Sequence, residues 1–135
     1  MRSEKDVEAY LLRLSRRYKP VEDTPGTFLV DTIDGMPPAA VRVEPPIVVV
    51  RVHIGDAPKE NVELFRKLLE LNAKSLVHSS YGLEGERIVL SSALELENLD
   101  FNEIQATLDE IDLALAQHLA LIMEAAAGGL KTNLG

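Results

Sequence analysis

The sequence predicts an α+β fold in which an antiparallel sheet packs against helices. Three observations carry this prediction: apolar residues at helical spacing near both ends and in the middle of the chain, β-branched runs between those segments, and turn signals within the runs. Because the strands come in runs enclosed by helices and do not alternate with them, antiparallel pairing is favoured over βαβ units. The predicted order is α-β-β-β-α-β-β-α.

The first predicted element is an amphipathic helix over residues 4–18. Ser3 and Asp6 form a capping pair at its start. Pro20 ends the helix, and residues 20–26 form a loop that contains two prolines and a glycine. The apolar stripe of this helix consists of Val7, Leu11, Leu14 and Tyr18.

Three strands are predicted next. Residues 27–33 are β-branched and apolar, and the Asp-Gly pair behind them is a strong turn signal. Residues 39–44 form the returning strand, which a pair of prolines ends. Residues 47–54 contain the most apolar strand of the chain, which predicts a central strand buried on both faces.

The second half of the chain begins with another amphipathic helix. Asp56 caps it, and Pro58 lies in its first turn, where a missing amide costs little. Two short strands over residues 76–81 and 87–91 follow. The predicted inward face of the helix consists of Val62, Phe65, Leu68, Leu69 and Asn72.

The last predicted element is a long helix over residues 99–127. Asp100 is a favourable N-cap, and Glu103 is placed to reach back to the amide of the cap. Gly128 and Gly129 are predicted to end the helix. Its core stripe consists of Ile104, Leu108, Ile111, Leu115, Leu119 and Ile122.

A second apolar stripe lies on the later part of the same helix. A contiguous exposed apolar patch marks an interaction surface, so the stripe predicts a homodimer interface. The alternative is a helix buried in the centre of its own monomer. The stripe consists of Leu113, Ala116, Ala120, Met123 and Ala127.

Length and composition predict a single folded domain. The chain has 135 residues, of which 46% are hydrophobic, and we expect one domain over residues 1–129 with a disordered tail over 130–135. The absence of cysteine excludes disulfides and thiol catalysis. The charged N-terminus and the lack of a long apolar run argue against a signal peptide or a membrane span and predict a cytoplasmic protein.

The charge distribution limits the classes of partner. The formal net charge is −8, and nine carboxylates but a single arginine lie between Glu84 and Asp112. Nucleic-acid binding requires neutralisation of phosphates by basic residues, so this class is disfavoured. The acidic segment favours a basic or amphipathic protein partner, although a solvated acidic face is an equally simple interpretation.

Residues with catalytic potential form no recognisable motif. His53, His78 and His118 lie in different predicted elements, and no two of them have the helical spacing of metal ligands. Ser79 and Ser80 follow His78, but the sequence around them is not a nucleophile elbow. We therefore expect no metal, no cofactor and no enzymatic activity; a small-molecule enzyme is the least favoured alternative.

The element order and residues 62–122, which include Leu71 and Asn72, resemble the type III secretion chaperones of the CesT/SycE type and the related YbjN-type proteins. The resemblance implies a non-catalytic homodimer that holds an extended segment of a client protein. The first helix and the sheet are then expected to bind the client. The alternative is a regulatory or structural subunit of a larger complex. The client-binding residues expected on this basis are Val7, Leu11, Leu14, Phe28 and Val30.

Overall fold

The computed structural model describes residues 2–57 and 60–134, with side chains to residue 127, and has the predicted α+β architecture. The predicted element order is confirmed, with one short additional strand ahead of the predicted ones. The helices are α1 (Glu4–Arg13), α2 (Val62–Ser75) and α3 (Phe101–Leu134). The strands are β1 (Tyr18–Pro20), β2 (Thr27–Val30), β3 (Ala39–Glu44), β4 (Ile47–Asp56), β5 (Ser80–Glu84) and β6 (Arg87–Glu95).

The strands form one six-stranded sheet in the order β1-β2-β3-β4-β6-β5, and every neighbouring pair is antiparallel. Apolar residues from α1, α2 and α3 join a single core cluster with alternate side chains of the strands. The helices described here therefore share one face of the sheet. None of them combines the length and the hydrophobicity that spanning a bilayer requires.

Strand β4 is central, as predicted, but the prediction that both of its faces are buried is wrong. Val48, Val50 and Val52 are buried, whereas Arg51 and His53 are exposed. Side chains alternate across a strand, and here only one side meets the helices. The continuous valine run reflects the preference of β-branched residues for strands and not burial on two sides.

Helix α1 is shorter than predicted. It begins at the predicted Ser3 cap but ends at Arg13, and Ser15 adopts a left-handed φ of 59° that turns the chain away. Tyr18 therefore lies in β1 and not on the helix, although its spacing fits the helical stripe. It packs edge-on against Phe28 of β2, so the tertiary contact determines its conformation.

Helix α2 begins later than predicted. Its N-cap is Asn61, whose side chain accepts from the amide of Leu64, while Asp56 is the last residue of β4. Pro58 lies outside the described residues. Part of the predicted inward face is correct, since Leu68 is buried and Phe65 packs against the core. Val62 and Leu69 are instead 73% and 68% exposed, and Leu64, which was not predicted to face inward, is buried.

Helix α3 has the predicted start. Glu103 donates its amide to Asp100 and accepts from the amide of that residue, so the two form the predicted reciprocal cap. The predicted stop is wrong, since the helix continues through Gly128 and Gly129 to Leu134. Glycine lowers helix stability by about 1 kcal/mol but does not forbid helical backbone. The domain over residues 1–129 and its disordered tail stay a prediction.

Candidate protein-binding surfaces

The predicted dimer stripe is a continuous exposed line on α3, here called the α3 seam. Its residues follow one another at steps of three and four, so they lie on one side of the helix, next to the core stripe. All are exposed, with Leu113 at 56%. The structure brings the predicted residues together, and their role in a dimer stays a prediction. They are Leu113, Ala116, Ala120, Met123 and Ala127.

Met123 links the α3 seam to the sheet. A Cβ atom built on Gly55 would lie 3.0 Å from Cε of Met123, which is closer than ordinary van der Waals contact. Gly55 also lies at an irregularity in the pairing of β4 with β6. The missing side chain at position 55 therefore allows the methionine to pack directly against the strand.

A second apolar surface, here called the α2–β5 surface, borders the β5 edge of the sheet. It comprises Val62, Leu69, Val77 and Leu83, all of which are exposed. Next to it, Asn72 of α2 accepts from the Tyr81 amide at 2.7 Å and donates to the Tyr81 carbonyl at 3.0 Å. One side chain thus occupies both outward backbone groups of an edge-strand residue, which limits strand addition at this edge.

The opposite side of the sheet is uncovered by the described helices and is here called the open face. One row of side chains crosses all six strands, since Cα partners connect Lys19, Leu29, Ala40, Arg51, Ser91 and Ser80 in turn. Each of these residues is exposed or half-buried. Apolar, basic and small polar side chains are all present on this face. Its further members are Thr27, Arg42, Glu44, Ile47, Val49, His53, Val89 and Ala93.

The expected client-binding residues lie together, but on the other side of the sheet. Val7 and Leu11 of α1 and Phe28 and Val30 of β2 are buried in the core, and Leu14 is half-buried. Their side chains hold α1 to the sheet. Client binding through them stays a prediction, and it would require α1 to separate from the sheet.

Glu110 of α3 fixes the loop that connects α2 to β5. Its carboxylate accepts hydrogen bonds from the backbone amides of Val77, His78 and Ser79 and from the Ser79 hydroxyl, at 2.6–3.1 Å for the shortest bond from each donor. Burial raises the pKa of Glu110, but the Ser79 hydroxyl and the three amides outweigh it, so the pKa lies below its ordinary value. Residues 76–79, predicted as strand, form this loop, in which the amides of residues 77–79 bind the carboxylate instead of a neighbouring strand.

Two further carboxylates of the acidic segment are also used within the fold. Arg16 donates to Asp109 at 3.1 Å and to Asp112 at 2.7 Å, and this connects the segment after α1 to α3. The acidic field predicted from the sequence is therefore partly neutralised by internal partners. This reduces the charge that is left to attract a basic partner.

The three histidines lie in separate parts of the fold, His53 on β4, His78 in the loop before β5 and His118 on α3. His118 is buried, and its Nδ1 lies 2.9 Å from the Tyr81 hydroxyl. Burial lowers the pKa of His118 and raises that of Tyr81, so both groups are held neutral. Within residues 2–57 and 60–134, no group of three or more His, Asp and Glu side chains is placed to hold a metal ion.

Known proteins share this arrangement. A chain of the heterodimeric ExoU–SpcU complex from the type III secretion system of Pseudomonas aeruginosa has 16% identity and a TM-score of 0.67, covering 85% of this chain and 96% of its own. YbjN from E. coli, described as a putative transcription regulator, has 14% identity and a TM-score of 0.61, covering 93% of each chain. No curated protein matches the sequence. The CesT_Tir_1 family model matches residues 1–128, and the chain belongs to this type III chaperone family.

Proposed function

We propose that this protein is a non-catalytic, chaperone-like module that binds a segment of a client protein and acts as a homodimer. The observation that carries the proposal is the open face, where a central strand that is buried on one side presents its other side without cover. Membership of a type III chaperone family supports a protein client. The matched chain of the ExoU–SpcU heterodimer has the same fold, so a protein of this fold is known in a protein–protein complex.

The composition of the open face suits an extended polypeptide. Half-buried Leu29, Ile47 and Val49 offer apolar contacts, and Arg42 and Arg51 between them offer charge-assisted hydrogen bonds. An extended segment presents alternate side chains to one surface, so it meets both kinds of group. Binding here leaves the hydrophobic core of the helices undisturbed.

The client-binding proposal is tested by affinity capture from the native cell extract with Val49→Glu and with a control. Val49 lies in the middle of the open face, so a glutamate there is expected to reduce capture of the dominant partner at least about tenfold. The control is Gln105→Glu, which adds the same charge on an exposed position of α3. Mass spectrometry identifies and quantifies the partner.

Competition distinguishes the two functions considered. Release of the partner by a short segment of its own sequence supports a client held by a chaperone. A partner that resists every such segment favours a regulatory or structural subunit. Equal capture by wild type and Val49→Glu would exclude the open face as the binding surface.

We assign the homodimer contact to the α3 seam. Ala120→Glu places a charge in the middle of the seam and is expected to raise the dimer dissociation constant at least about a hundredfold. Gln105→Glu again serves as the control, and sedimentation equilibrium gives the dissociation constants. Ala120 is exposed in the monomer, so the variant is expected to remain folded.

The α2–β5 surface is the competing dimer contact. Leu69→Glu tests it in the same assay, because Leu69 is 68% exposed and belongs to that surface. If Leu69→Glu dissociates the dimer while Ala120→Glu remains dimeric, the dimer contact is the α2–β5 surface and not the α3 seam. A wild-type protein that sediments as a monomer would overturn the homodimer itself.

A further inference from the structure

The open face contains a groove of about 310 Å³ over β2, β3 and β4. Arg42 lies at its centre: its Cα partners across the sheet are Thr27 on one side and Val49 on the other. Arg51 follows Val49 by two residues on the same side of β4 and also lines the groove. Two arginines and one glutamate therefore line this groove, in a protein whose net charge is −8.

The two arginines differ in what they already bind. Arg51 donates through Nη1 to Glu84 at 2.7 Å, and both side chains are about half exposed. Arg42 is exposed and has no hydrogen bond or ion pair with any residue of the described ranges. A guanidinium group carries five donors in a planar fork that matches a carboxylate, so Arg42 has its full binding capacity available.

Thr27 provides an independent observation at the same place. Its hydroxyl is buried and has no hydrogen-bond partner, and the residue lines the groove beside Arg42. Buried hydroxyl groups are normally hydrogen-bonded, since leaving one unpaired costs about 1–3 kcal/mol. In the free protein the Thr27 hydroxyl therefore has no acceptor among the described residues, and neither do the guanidinium donors of Arg42 beside it.

We propose that this groove binds the carboxylate of an aspartate or glutamate in an extended client segment; the inference rests on the proposed function and specifies it. Arg42 binds the carboxylate through its fork, and the Thr27 hydroxyl, which is buried in the free protein, donates to it after a rotation of its side chain. Arg51 lines the same groove but already donates to Glu84. The partner favoured by the overall charge is basic, but this groove selects an acidic residue.

Glu44 restricts which client segment fits the groove. It lines the same groove and lies two residues from Arg42 on the same side of β3, about 7 Å along the strand. Its carboxylate repels a second negative charge and attracts a positive one. The expected segment therefore has an acidic residue beside Arg42 and a basic or neutral residue near Glu44, which disfavours a multiply charged phosphate.

The test is an NMR titration of ¹⁵N-labelled protein with two blocked tripeptides, acetyl-Val-Asp-Val-amide and acetyl-Val-Asn-Val-amide. The Asp peptide is expected to shift the amide signals of Thr27 and Arg42 saturably and to bind at least about fivefold more tightly than the Asn peptide. Arg42→Gln is expected to abolish that difference. Arg66→Gln, at an exposed arginine of α2, is the matched control and is expected to preserve it.

Three outcomes would contradict the proposed carboxylate site. They are equal affinity for the two peptides, no saturable shift with the Asp peptide, or a difference in affinity between the peptides that persists in Arg42→Gln. Competition by inorganic phosphate at the same concentration as the Asp peptide would also overturn it, since the site would then be a general anion site. If the titration shows no carboxylate site in the groove while Val49→Glu still reduces capture of the client, the proposed function stands. If Val49→Glu captures the client normally, the open face is excluded as the client-binding surface irrespective of the titration.

Discussion

Glu110→Ala is expected to lower the free energy of unfolding by about 3 kcal/mol, the largest effect we expect from a single substitution of a partly exposed residue. The variant leaves the amides of Val77, His78 and Ser79 and the Ser79 hydroxyl without their common acceptor. Hydrogen bonds to a charged group contribute more than neutral ones, and several converge here. Urea unfolding monitored by circular dichroism measures the change.

The pH dependence provides a second measurement of the same contact. The pKa of Glu110 is lower in the folded protein than its ordinary value of 4.5, so the stabilisation is fully present above pH 4.5 and is lost as the pH falls through the folded pKa. Glu110→Gln removes this titration, and its stability difference from wild type should shrink in that acidic range. A difference that stays constant from pH 7 to about pH 3 would contradict the role of the charge.

Asn72→Ala is expected to destabilise the protein by about 2 kcal/mol and to promote self-association. The substitution removes both hydrogen bonds to Tyr81 and exposes outward backbone groups of β5. Thermal unfolding gives the stability, and light scattering over a range of concentrations gives the association.

The matched control for this prediction is Asn102→Ala, at an exposed asparagine in the first turn of α3. It is expected to change neither measurement appreciably. If Asn72→Ala loses stability but stays as monodisperse as wild type, the asparagine connects α2 to β5 without protecting the edge. Unchanged stability would show that the two hydrogen bonds contribute little.

Local sequence signals predicted the class of the fold, since caps and apolar periodicity are properties of neighbouring residues. The Asp100 and Glu103 cap and the core stripe of α3 illustrate this. Predictions that depend on a distant partner were less accurate. Tyr18 fits a helical stripe by spacing but joins a strand because β2 lies beside it, and the valine run of β4 gave no indication that only one side is covered.

The candidate surfaces likewise divide into those that local sequence signals predict and those that depend on distant partners. The α3 seam could be predicted because it is one side of one helix, whereas the open face arises only when six strands align in register. Glu110 is one of several carboxylates in an acidic segment, and no sequence signal identifies it as the acceptor for a loop. For Asn72 the sequence contained a weak signal of a structural role, because it is a polar residue among positions predicted to point inward.

The placement of the described helices on one side of the sheet has a consequence for assembly. The open face is on the side of the sheet that the described helices leave uncovered, whereas the α3 seam belongs to a helix on the other side, where its Met123 packs against β4. A partner on one does not occupy the space of a partner on the other. Occupancy of the two surfaces is therefore independent on steric grounds, and an assembly with both filled can form in either order.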